Sequence, residues 1–364
     1  MTLDRLVAGA TVVGALDATA MAAAQAGLDR LTKPPGSLGR LEGLAVTLAG
    51  ITGRTDATVA RKAVVVAAAD HGVAARGVSA YPPEVTAQMV ANFVSGGAAI
   101  CVLAHRVGAS LTVINVGVAS EIPAVVDASG GGGRLVRARI RPGTADMTVG
   151  PAMTRAEAEA AITVGAEVAA EVIAAGVDVL AIGEMGIGNT TAASALTAAL
   201  TGSTPADVTG RGTGLDDAGL ARKISAVESA LGANGLASGQ PGNDAIGTLA
   251  GVGGLEIAAL VGVVLEAVGS RIPVVVDGFI AGTAVLVAER LAPGVAARCI
   301  AAHRSVEPGH AIVLDALGLD PLLDLDLRLG EGSGAVLAFD LLDAAVAIRD
   351  RMATFDGAGV SGPA

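Results

Sequence analysis

The sequence predicts an α/β protein with a mostly parallel sheet that is covered by helices on both faces. Two observations lead to this fold class. Short continuous runs of Val, Ala, Ile and Leu alternate with helical stretches of ten or more residues along the middle of the chain. Several of these runs end in glycine and a polar residue, which is typical of parallel strands that are buried on both faces.

The individual elements follow from this pattern and from helix start and stop signals. Residues 17–31 and 37–53 are the two predicted helices of the first fifty residues, and Pro34-Pro35 ends the first of them. Thr154 and Glu157 have the spacing of a capping box before a helix that ends near residue 175. The predicted strands are residues 63–69, 110–116, 177–182, 273–277 and 299–302, with a short extended piece at 134–140 after a glycine-rich turn at 130–133. The other predicted helices are residues 83–107, 216–231, the stretch 247–269, 335–347 and two that begin at Asn189 and Phe279.

The composition allows a large core of small aliphatic side chains. Hydrophobic residues make up 52% of the 364 residues, but there is no Trp, one Tyr and four Phe, and there are 51 Gly. Helices and strands can therefore approach each other closely. The net charge of −11 and the lack of any long basic run argue against nucleic-acid binding, and few aromatic side chains are present to stack bases.

The high hydropathy raises the question of a membrane span. The most apolar long stretch, residues 247–269, contains Glu256 and Glu266, so a buried helix pair is the better interpretation. The apolar run near the N-terminus is flanked by Asp4 and Asp17, unlike a signal peptide. We therefore expect a cytoplasmic protein that does not bind membranes.

Cysteine and histidine usage gives no sign of metal or redox chemistry. Cys101 and Cys299 lie in apolar surroundings, far apart in sequence, and are expected to be buried thiols. The four histidines lack the spacing of metal ligands. We expect neither a metal nor another cofactor.

The most informative motif is the loop at residues 183–191, where a predicted strand runs through glycine-rich sequence into a helix that begins Asn189-Thr190-Thr191. A helix start offers free backbone N–H groups and a positive dipole end, so it suits a phosphomonoester. The alternative is a tight turn that is capped by Asn or Thr. No Lys follows the last glycine, which excludes a Walker loop, and the glycine spacing disfavours dinucleotide binding.

Two features further along the chain remain ambiguous. The glycine-rich segment 251–256 could supply more backbone donors or simply permit close helix packing. Lys223, in the predicted helix 216–231, could bind a phosphate or be an ordinary surface lysine.

A single carboxylate stands among glycines in Leu329-Gly330-Glu331-Gly332-Ser333-Gly334. Such a glutamate could simply be solvated. The alternative is a general base, because a glycine-rich backbone can bring the carboxylate close to a ligand without side-chain clashes.

A polar loop follows the first predicted strand. It begins with Asp70-His71-Gly72 and continues with Gly77-Val78-Ser79-Ala80-Tyr81-Pro82, which contains the only tyrosine, and Gln88 follows on the next helix. The loop could be a hydrogen-bonded turn, or it could offer a flat face and polar groups to a planar heterocycle.

Together these motifs resemble one family, the nicotinate-nucleotide–dimethylbenzimidazole phosphoribosyltransferases. The most specific matches are Gly-Glu-Met-Gly-Ile-Gly-Asn-Thr-Thr at 183–191 and Arg-Leu-Gly-Glu-Gly-Ser-Gly at 328–334. The other matching segments, in the family's order, are Lys33-Pro34-Pro35-Gly36-Ser37-Leu38-Gly39, Asp70-His71-Gly72-Val73, 77–89, 251–256, Val276-Asp277-Gly278-Phe279 and His303-Arg304-Ser305.

The resemblance implies a Rossmann-like, mostly parallel sheet flanked by helices, with a small helical domain built from both chain termini. The large nucleotide-binding domain would then span residues 61–302, and the small domain would combine residues 1–60 with 303–364. The resemblance also implies a homodimer in which each site borders the neighbouring subunit.

The resemblance further implies a site with three parts. Glu331 would be the general base. Residues that hold the phosphate and ribose would be Glu184, Gly186, Gly188, Asn189, Thr190, Thr191, Lys223 and Ser305. Residues that line the benzimidazole pocket would be Ser79, Tyr81, Gln88, Met185 and Leu329.

The residue types fit this chemistry independently. Nicotinate leaves a ribosyl pyridinium as a neutral ring, so no general acid is needed, and a carboxylate can stabilise the oxocarbenium-like sugar. The benzimidazole must lose its second N–H proton, which a partly desolvated Glu can accept. The alternatives are a related transferase for adenine or a phenol, a nucleotide-binding module without turnover, and an NAD-dependent oxidoreductase, which the glycine spacing disfavours.

Overall fold

A computed structural model of the chain describes residues 1–13, 15–123, 131–236 and 244–361. Within these ranges the strands form one six-stranded sheet in the order β3-β2-β1-β4-β5-β6, and all neighbouring strands are parallel. The strands are β1 (Lys62–Ala69), β2 (Ser110–Gly117), β3 (Arg134–Arg137), β4 (Val179–Met185), β5 (Val274–Val276) and β6 (Cys299–Ala301). This is the Rossmann strand order, so the predicted fold class is confirmed.

Helices connect the strands and cover both faces of the sheet. The helices are α1 (Leu3–Val13), α2 (Ala18–Asp29), α3 (Arg40–Thr52), α4 (Val85–Ser95), α5 (Ala99–Arg106), α6 (Arg155–Ala174), α7 (Asn189–Thr201), α8 (Pro205–Val208), α9 (Asp217–Ala233), α10 (Ala245–Val252), α11 (Leu255–Gly269), α12 (Phe279–Leu291), α13 (Pro308–Leu317), α14 (Ser333–Arg351) and α15 (Phe355–Ala358). The predicted capping box of Thr154 and Glu157 is present at the start of α6.

The sheet separates two apolar cores. The central strand β1 is buried throughout and alternates between them, with Val65 and Ala67 on one side and Val64 and Val66 on the other. Helices α6, α7, α10, α11 and α12 cover the first face, and α3, α4, α5 and α14 cover the second. The small side chains allow tight helix packing: a Cβ on Gly262 of α11 would lie 1.8 Å from the carbonyl oxygen of Ile162 on α6.

Two predicted helical regions differ from the structure. The first fifty residues contain three helices rather than two, because α1 buries Leu6 and Ala10 in the core next to α11. The predicted helix 83–107 is two helices, because Gly96 adopts a left-handed conformation (φ 81°) that ends α4. Of the predicted turn 130–133, residue 130 lies outside the described residues. The composition of residues 357–364 predicts a frayed end, and 362–364 of them also lie outside the described residues.

The apolar stretches that could be mistaken for membrane spans are helices that pack in the protein core. Among the described residues, Val85–Arg106 is long and apolar enough to cross a membrane, as is the bent pair α1 and α2 if it is counted as one span. However, the first of these stretches is interrupted at Gly96, and it buries Phe93 and Ile100 in the second core. Residues 247–269, the stretch identified from the sequence, form the buried helices α10 and α11.

The two chain ends lie side by side. An isolated bridge joins Leu31 to Thr354, and Thr32 N donates to the carbonyl of Ala353 (2.9 Å). The same terminal helices also share the second core with the sheet. The division into domains 61–302 and 1–60 with 303–364 stays a prediction.

Candidate active site

A cavity of about 360 Å³ lies beyond the carboxyl ends of the strands, a volume suited to a small-molecule ligand. It opens where the strand order reverses, between β1 and β4, which is the usual ligand site of such sheets. Segments that follow β1, β4, β5 and β6 form its wall, together with the 330–332 turn that precedes α14.

The 183–191 loop forms one wall of this cavity. Strand β4 continues to Met185, three residues beyond its predicted end, and α7 begins at Asn189. No side chain caps α7, since its N-cap residue is Gly188 in a left-handed conformation (φ 95°). Asn189 N donates to the carbonyl of Gly186 (3.1 Å) and Thr191 N to that of Gly188 (3.0 Å), so the backbone N–H groups of Gly188 and Thr190 are the ones available to a ligand. The backbone also passes very close to β1: a Cβ on Gly186 would lie 2.4 Å from the carbonyl oxygen of Ala69.

Lys223 lies beneath the start of α7 and is fully buried. Its Nζ donates to Thr190 Oγ1 (2.8 Å) and to the carbonyl of Gly210 (3.1 Å), both of which are neutral. Within the described ranges no carboxylate pairs with this ammonium at 4 Å or less, and burial lowers the pKa of Lys223 to about 8. A buried cation whose partners are neutral is suited to binding an anion.

Glu331 also lines the cavity, in the 330–332 turn, which lies next to the end of β4. Its φ of 65° falls in the left-handed region, between Gly330 (φ 83°) and Gly332 (φ 88°). The side chain lines the cavity but is only 4% exposed, and the backbone N–H of Ile100 lies 3.5 Å from the carboxylate. Burial raises the pKa of Glu331, and the negative charge of Asp277 adds to this effect. A carboxylate with a raised pKa suits a general base.

Glu184 is a second acidic group of the cavity, at the end of β4. It is buried and accepts a hydrogen bond from the side-chain amide of Asn189. Burial raises the pKa of Glu184 well above its usual value, and the nearby charges of Asp277 and Glu256 raise it further. Its main-chain carbonyl accepts from Glu331 N (3.2 Å), so the two carboxylate-bearing segments are directly connected.

The residues predicted for the benzimidazole pocket line the same cavity, with one exception. Ser79, Tyr81, Met185 and Leu329 line it. Gln88 is exposed and does not line it; instead its helix α4 presents Val85 and Met89, which are four residues apart and on the same face. The structure therefore does not bring Gln88 to this cavity as one chain forms it, and its role stays a prediction.

Two residues predicted for the phosphate site, Thr191 and Lys223, do not themselves line the cavity. Thr191 is fully buried beneath the loop and does not line the cavity, because the first turn of α7 directs it into the interior. Ser305 does line the cavity, and its backbone N–H donates to His310 Nδ1 (3.0 Å).

Sequence reasoning missed several residues of the cavity wall. Thr213 Oγ1 accepts from Ala80 N (3.0 Å), and Glu307 Oε1 accepts from Gly212 N (2.8 Å). The alternating glycines at 210, 212 and 214 were the available signal for this segment, since two of them have positive φ. His303, Phe279 and Ile280 also line the cavity.

The segment 70–72 packs behind the cavity wall rather than lining the cavity. His71 is buried and its Nε2 lies 2.8 Å from Glu256 Oε1. Burial opposes protonation of His71, but the Glu256 carboxylate outweighs it and raises the pKa of the ring. A Cβ on Gly254 would lie 2.5 Å from both side chains, so the glycines of 251–256 serve close packing here.

Within the described part of the chain, no group of three or more His, Cys, Asp or Glu side chains is arranged to hold a metal ion. Cys101 and Cys299 are both buried free thiols.

Comparison with known proteins identifies the class of this site. A family model described as "Phosphoribosyltransferase" matches residues 13–360, so the chain is a phosphoribosyltransferase. The nicotinate-nucleotide–dimethylbenzimidazole phosphoribosyltransferase of a Roseiflexus species is 56% identical over 350 residues, which cover 96% of each chain. The enzyme of that name from Thermus thermophilus is 51% identical over 346 residues, which cover 95% of this chain and 99% of the relative.

The fold gives the same answer as the sequence. A crystal structure of nicotinate-nucleotide–dimethylbenzimidazole phosphoribosyltransferase from Thermus thermophilus matches with a TM-score of 0.87 and 49% identity, over 96% of this chain and all of that one. The chain therefore belongs to the nicotinate-nucleotide–dimethylbenzimidazole phosphoribosyltransferase family, as its motifs predicted.

Proposed function

We propose that the protein transfers the 5-phosphoribosyl group of nicotinate mononucleotide to 5,6-dimethylbenzimidazole. The products are nicotinate and α-ribazole 5'-phosphate, the lower nucleotide of cobalamin. One observation carries this proposal: a buried carboxylate, Glu331, lines the same cavity as an uncapped helix start above a buried lysine, Lys223.

The helix start and Lys223 serve the phosphate. The backbone N–H groups of Gly188 and Thr190 are suited to donate to phosphate oxygens, and the Lys223 charge supports them through Thr190. These groups take no part in bond chemistry. They hold the sugar so that the anomeric carbon stays next to the acceptor, which raises the effective concentration of the reacting groups.

The bond chemistry requires one base. The bond between the anomeric carbon and the pyridinium nitrogen breaks, and its electron pair returns to the ring, so nicotinate leaves without a proton. A benzimidazole nitrogen attacks the opposite face of the sugar, which inverts the anomeric centre from β to α, as a single displacement does. The other benzimidazole N–H proton moves to Glu331. The electron balance needs no metal or organic cofactor.

A second carboxyl group, Glu184, is suited to the ribose and to the developing positive charge on the sugar. Ser305 lies in the same part of the wall. Like-charged neighbours and burial hold the pKa of Glu184 high, so a positive sugar carbon nearby would favour its ionised form.

The acceptor end of the cavity suits a flat, mostly apolar ring. Met185 and Leu329 offer apolar surface, and Ser79 offers a hydroxyl that lies 3.3 Å from Thr213 Oγ1. The ring of Tyr81 is 54% exposed at the mouth of the cavity.

The direct test mixes the purified protein with nicotinate mononucleotide and dimethylbenzimidazole, followed by chromatography and determination of the anomeric configuration. We expect nicotinate and the α-riboside phosphate in equal amounts. Binding without turnover would mean a nucleotide-binding module, and a β-configured product would contradict single displacement. An acceptor panel with adenine and phenols, assayed by nicotinate release, distinguishes the related transferases.

We further propose that the protein is a cytoplasmic homodimer in which the neighbouring subunit borders the mouth of each cavity. Exposed side chains with apolar surface that line the cavity support this arrangement: Tyr81 is 54% and Leu329 56% exposed. Light scattering coupled to size-exclusion chromatography gives the mass directly, and a monomer at the concentrations used in the assay would contradict the proposal.

A further inference from the structure

Asp277 has no role in the proposed reaction so far, yet it is in contact with the segment that carries the base. It follows β5 directly, is 2% exposed and does not line the cavity. Its Oδ2 accepts from the backbone N–H of Gly332 (3.1 Å), and its Oδ1 accepts from that of Ala335 (3.0 Å). Helix α14 has no capping side chain of its own, since its N-cap residue is Gly332, so Asp277 caps it from a different element.

The turn that Asp277 holds is conformationally unfavourable. Residues 330, 331 and 332 all have positive φ, and a non-glycine residue such as Glu331 rarely adopts this conformation. Such a backbone persists only when its surroundings fix it. One constraint is Glu331 N, which donates to the carbonyl of Glu184 (3.2 Å), and a second is Ser333, which donates to the carbonyl of Gly330. The third constraint is Asp277. Of the three, it is the one in which a charged side chain bonds to the backbone of the turn.

The charge of Asp277 also acts on Glu331. The groups that face Glu331 are Glu184 from β4, Asp277 from β5 and the backbone N–H of Ile100 with the Cys101 thiol from α5. Behind them, His303 Nε2 lies 3.6 Å from Asp277 Oδ1, and Glu256 of α11 acts on Glu184.

Besides burial, the negative charge of Asp277 raises the pKa of Glu331. Burial raises the pKa of Glu331, the Asp277 charge raises it further, and the Ile100 N–H opposes both. Burial also raises the pKa of Asp277 itself, whereas His303 and the two backbone N–H groups favour its charged form. Removing the Asp277 charge should therefore lower the pKa of Glu331.

We propose that Asp277 is a positioning residue for the base: it fixes the 330–332 turn by capping α14 from the end of β5. The inference rests on the proposed function, in which Glu331 accepts the benzimidazole proton. It assigns to Asp277 no contact with either substrate.

The test compares Asp277→Asn with the wild type. The amide keeps the shape but loses the charge and can accept only one of the two N–H groups well. We expect kcat to fall roughly 10- to 100-fold, since small displacements of a base have effects of this size. The KM for nicotinate mononucleotide should stay within about twofold, because phosphate binding is untouched. The acid limb of the kcat–pH profile should move to lower pH by roughly one unit.

A matched control is Asp178→Asn, at the opposite end of β4. Asp178 is also largely buried, accepts a backbone N–H from Arg61 (2.9 Å) and pairs with its guanidinium. Its kcat and pH profile should match the wild type. A folded Asp277→Asn protein with wild-type kcat and an unmoved acid limb would overturn the proposal.

Two further measurements keep the outcome decisive. Asp277→Glu retains the charge but displaces it, so kcat should fall while the acid limb stays in place. If Asp277→Asn does not fold, Asp277→Glu is the variant that tests the proposal. A wild-type kcat in Asp277→Glu would then overturn it. A crystal structure of the Asp277 variant that folds tests the positioning without an activity assay. The Glu331 carboxylate should have left its position next to Ile100 N; an unchanged position would overturn the proposal. If the wild type makes no riboside, the proposed function fails, but the crystal structure still decides the positioning claim.

Discussion

Three carboxyl groups, Glu184, Asp277 and Glu331, meet at the carboxyl ends of β4 and β5 and the start of α14. Burial raises the pKa of each, and the charge of Asp277 adds to this effect for the other two. Such a cluster is costly for folding, because like charges repel at low dielectric. It is retained, we infer, because a carboxylate with a raised pKa accepts a proton more readily than an ordinary one.

Replacing Glu331 by Gln should remove the base but keep the shape of the cavity. We expect turnover to fall by at least about a hundredfold, the usual contribution of a general base. Binding of nicotinate mononucleotide, measured by isothermal titration calorimetry, should change little. Glu171→Gln on α6, whose side chain is 63% exposed, is a matched control and should retain full turnover. Unchanged turnover in Glu331→Gln would remove Glu331 from the base role.

Lys223 gives a prediction about pH. Because burial lowers its pKa to about 8, the free enzyme loses this positive charge as the pH rises through that value. The affinity for nicotinate mononucleotide should therefore be constant below pH 8 and fall above it, whereas the affinity for the nucleoside without phosphate should stay flat. Calorimetric titrations of both ligands across this range check the prediction.

The variant Lys223→Met should abolish this pH dependence and weaken binding of the mononucleotide at neutral pH. The neighbouring exposed residue provides a control, Arg222→Met, which should behave like the wild type. An equal loss of affinity for the nucleoside without phosphate in Lys223→Met would contradict the phosphate assignment.

At the level of single residues, the sequence motifs located the cavity lining best where the backbone itself determines direction. Gly186, Gly188 and Glu331 lie in glycine-rich turns and line the cavity. Gln88 and Thr191 do not line it, because each lies on a helix, where a shift of one residue turns a side chain by about 100°. Asp277 was seen only as part of a motif, since its partners are backbone groups more than fifty residues away.

At the level of elements, continuous apolar runs located five of the six strands in the described part of the chain to within a few residues; the sixth, β3, was predicted as a short extended piece. The helix pair α6 and α11 could not be foreseen as closely packed, because that depends on which glycines face each other. Gly165 and Gly262 lie at this contact, where an added Cβ on either would be 1.8 Å from a carbonyl oxygen of the other helix.

The contact predicts a large effect from a small change. Gly262→Ala should lower the free energy of unfolding by about 3 kcal/mol, because the backbones of the two helices would have to separate. Gly43→Ala in α3 is the control: a Cβ there meets nothing within 4 Å, so better helix propensity should raise stability by about 0.8 kcal/mol. Urea denaturation of both variants gives the comparison. Equal stability of Gly262→Ala and the wild type would show that the helices can separate without cost.

At the level of the whole molecule, the alternation of strands and helices predicted a parallel sheet, and the rule for such sheets predicted where a ligand site would lie. The position of the 330–332 turn could not be derived in this way. It reaches the cavity from the C-terminal part of the chain and rests on Gly183 of β4, where a Cβ would lie 2.3 Å from Gly332 N. Only the three-dimensional structure shows that Glu331 and the 183–191 loop line the same cavity.

The most direct test of the central claim is a crystal structure of the Glu331→Gln variant with nicotinate mononucleotide and dimethylbenzimidazole bound. The account predicts the phosphate at the N-terminus of α7 near Lys223. It also predicts an acceptor nitrogen within about 3 Å of the residue 331 side chain, the distance of a proton transfer. An acceptor bound out of reach of residue 331, or a phosphate bound away from α7, would contradict the account.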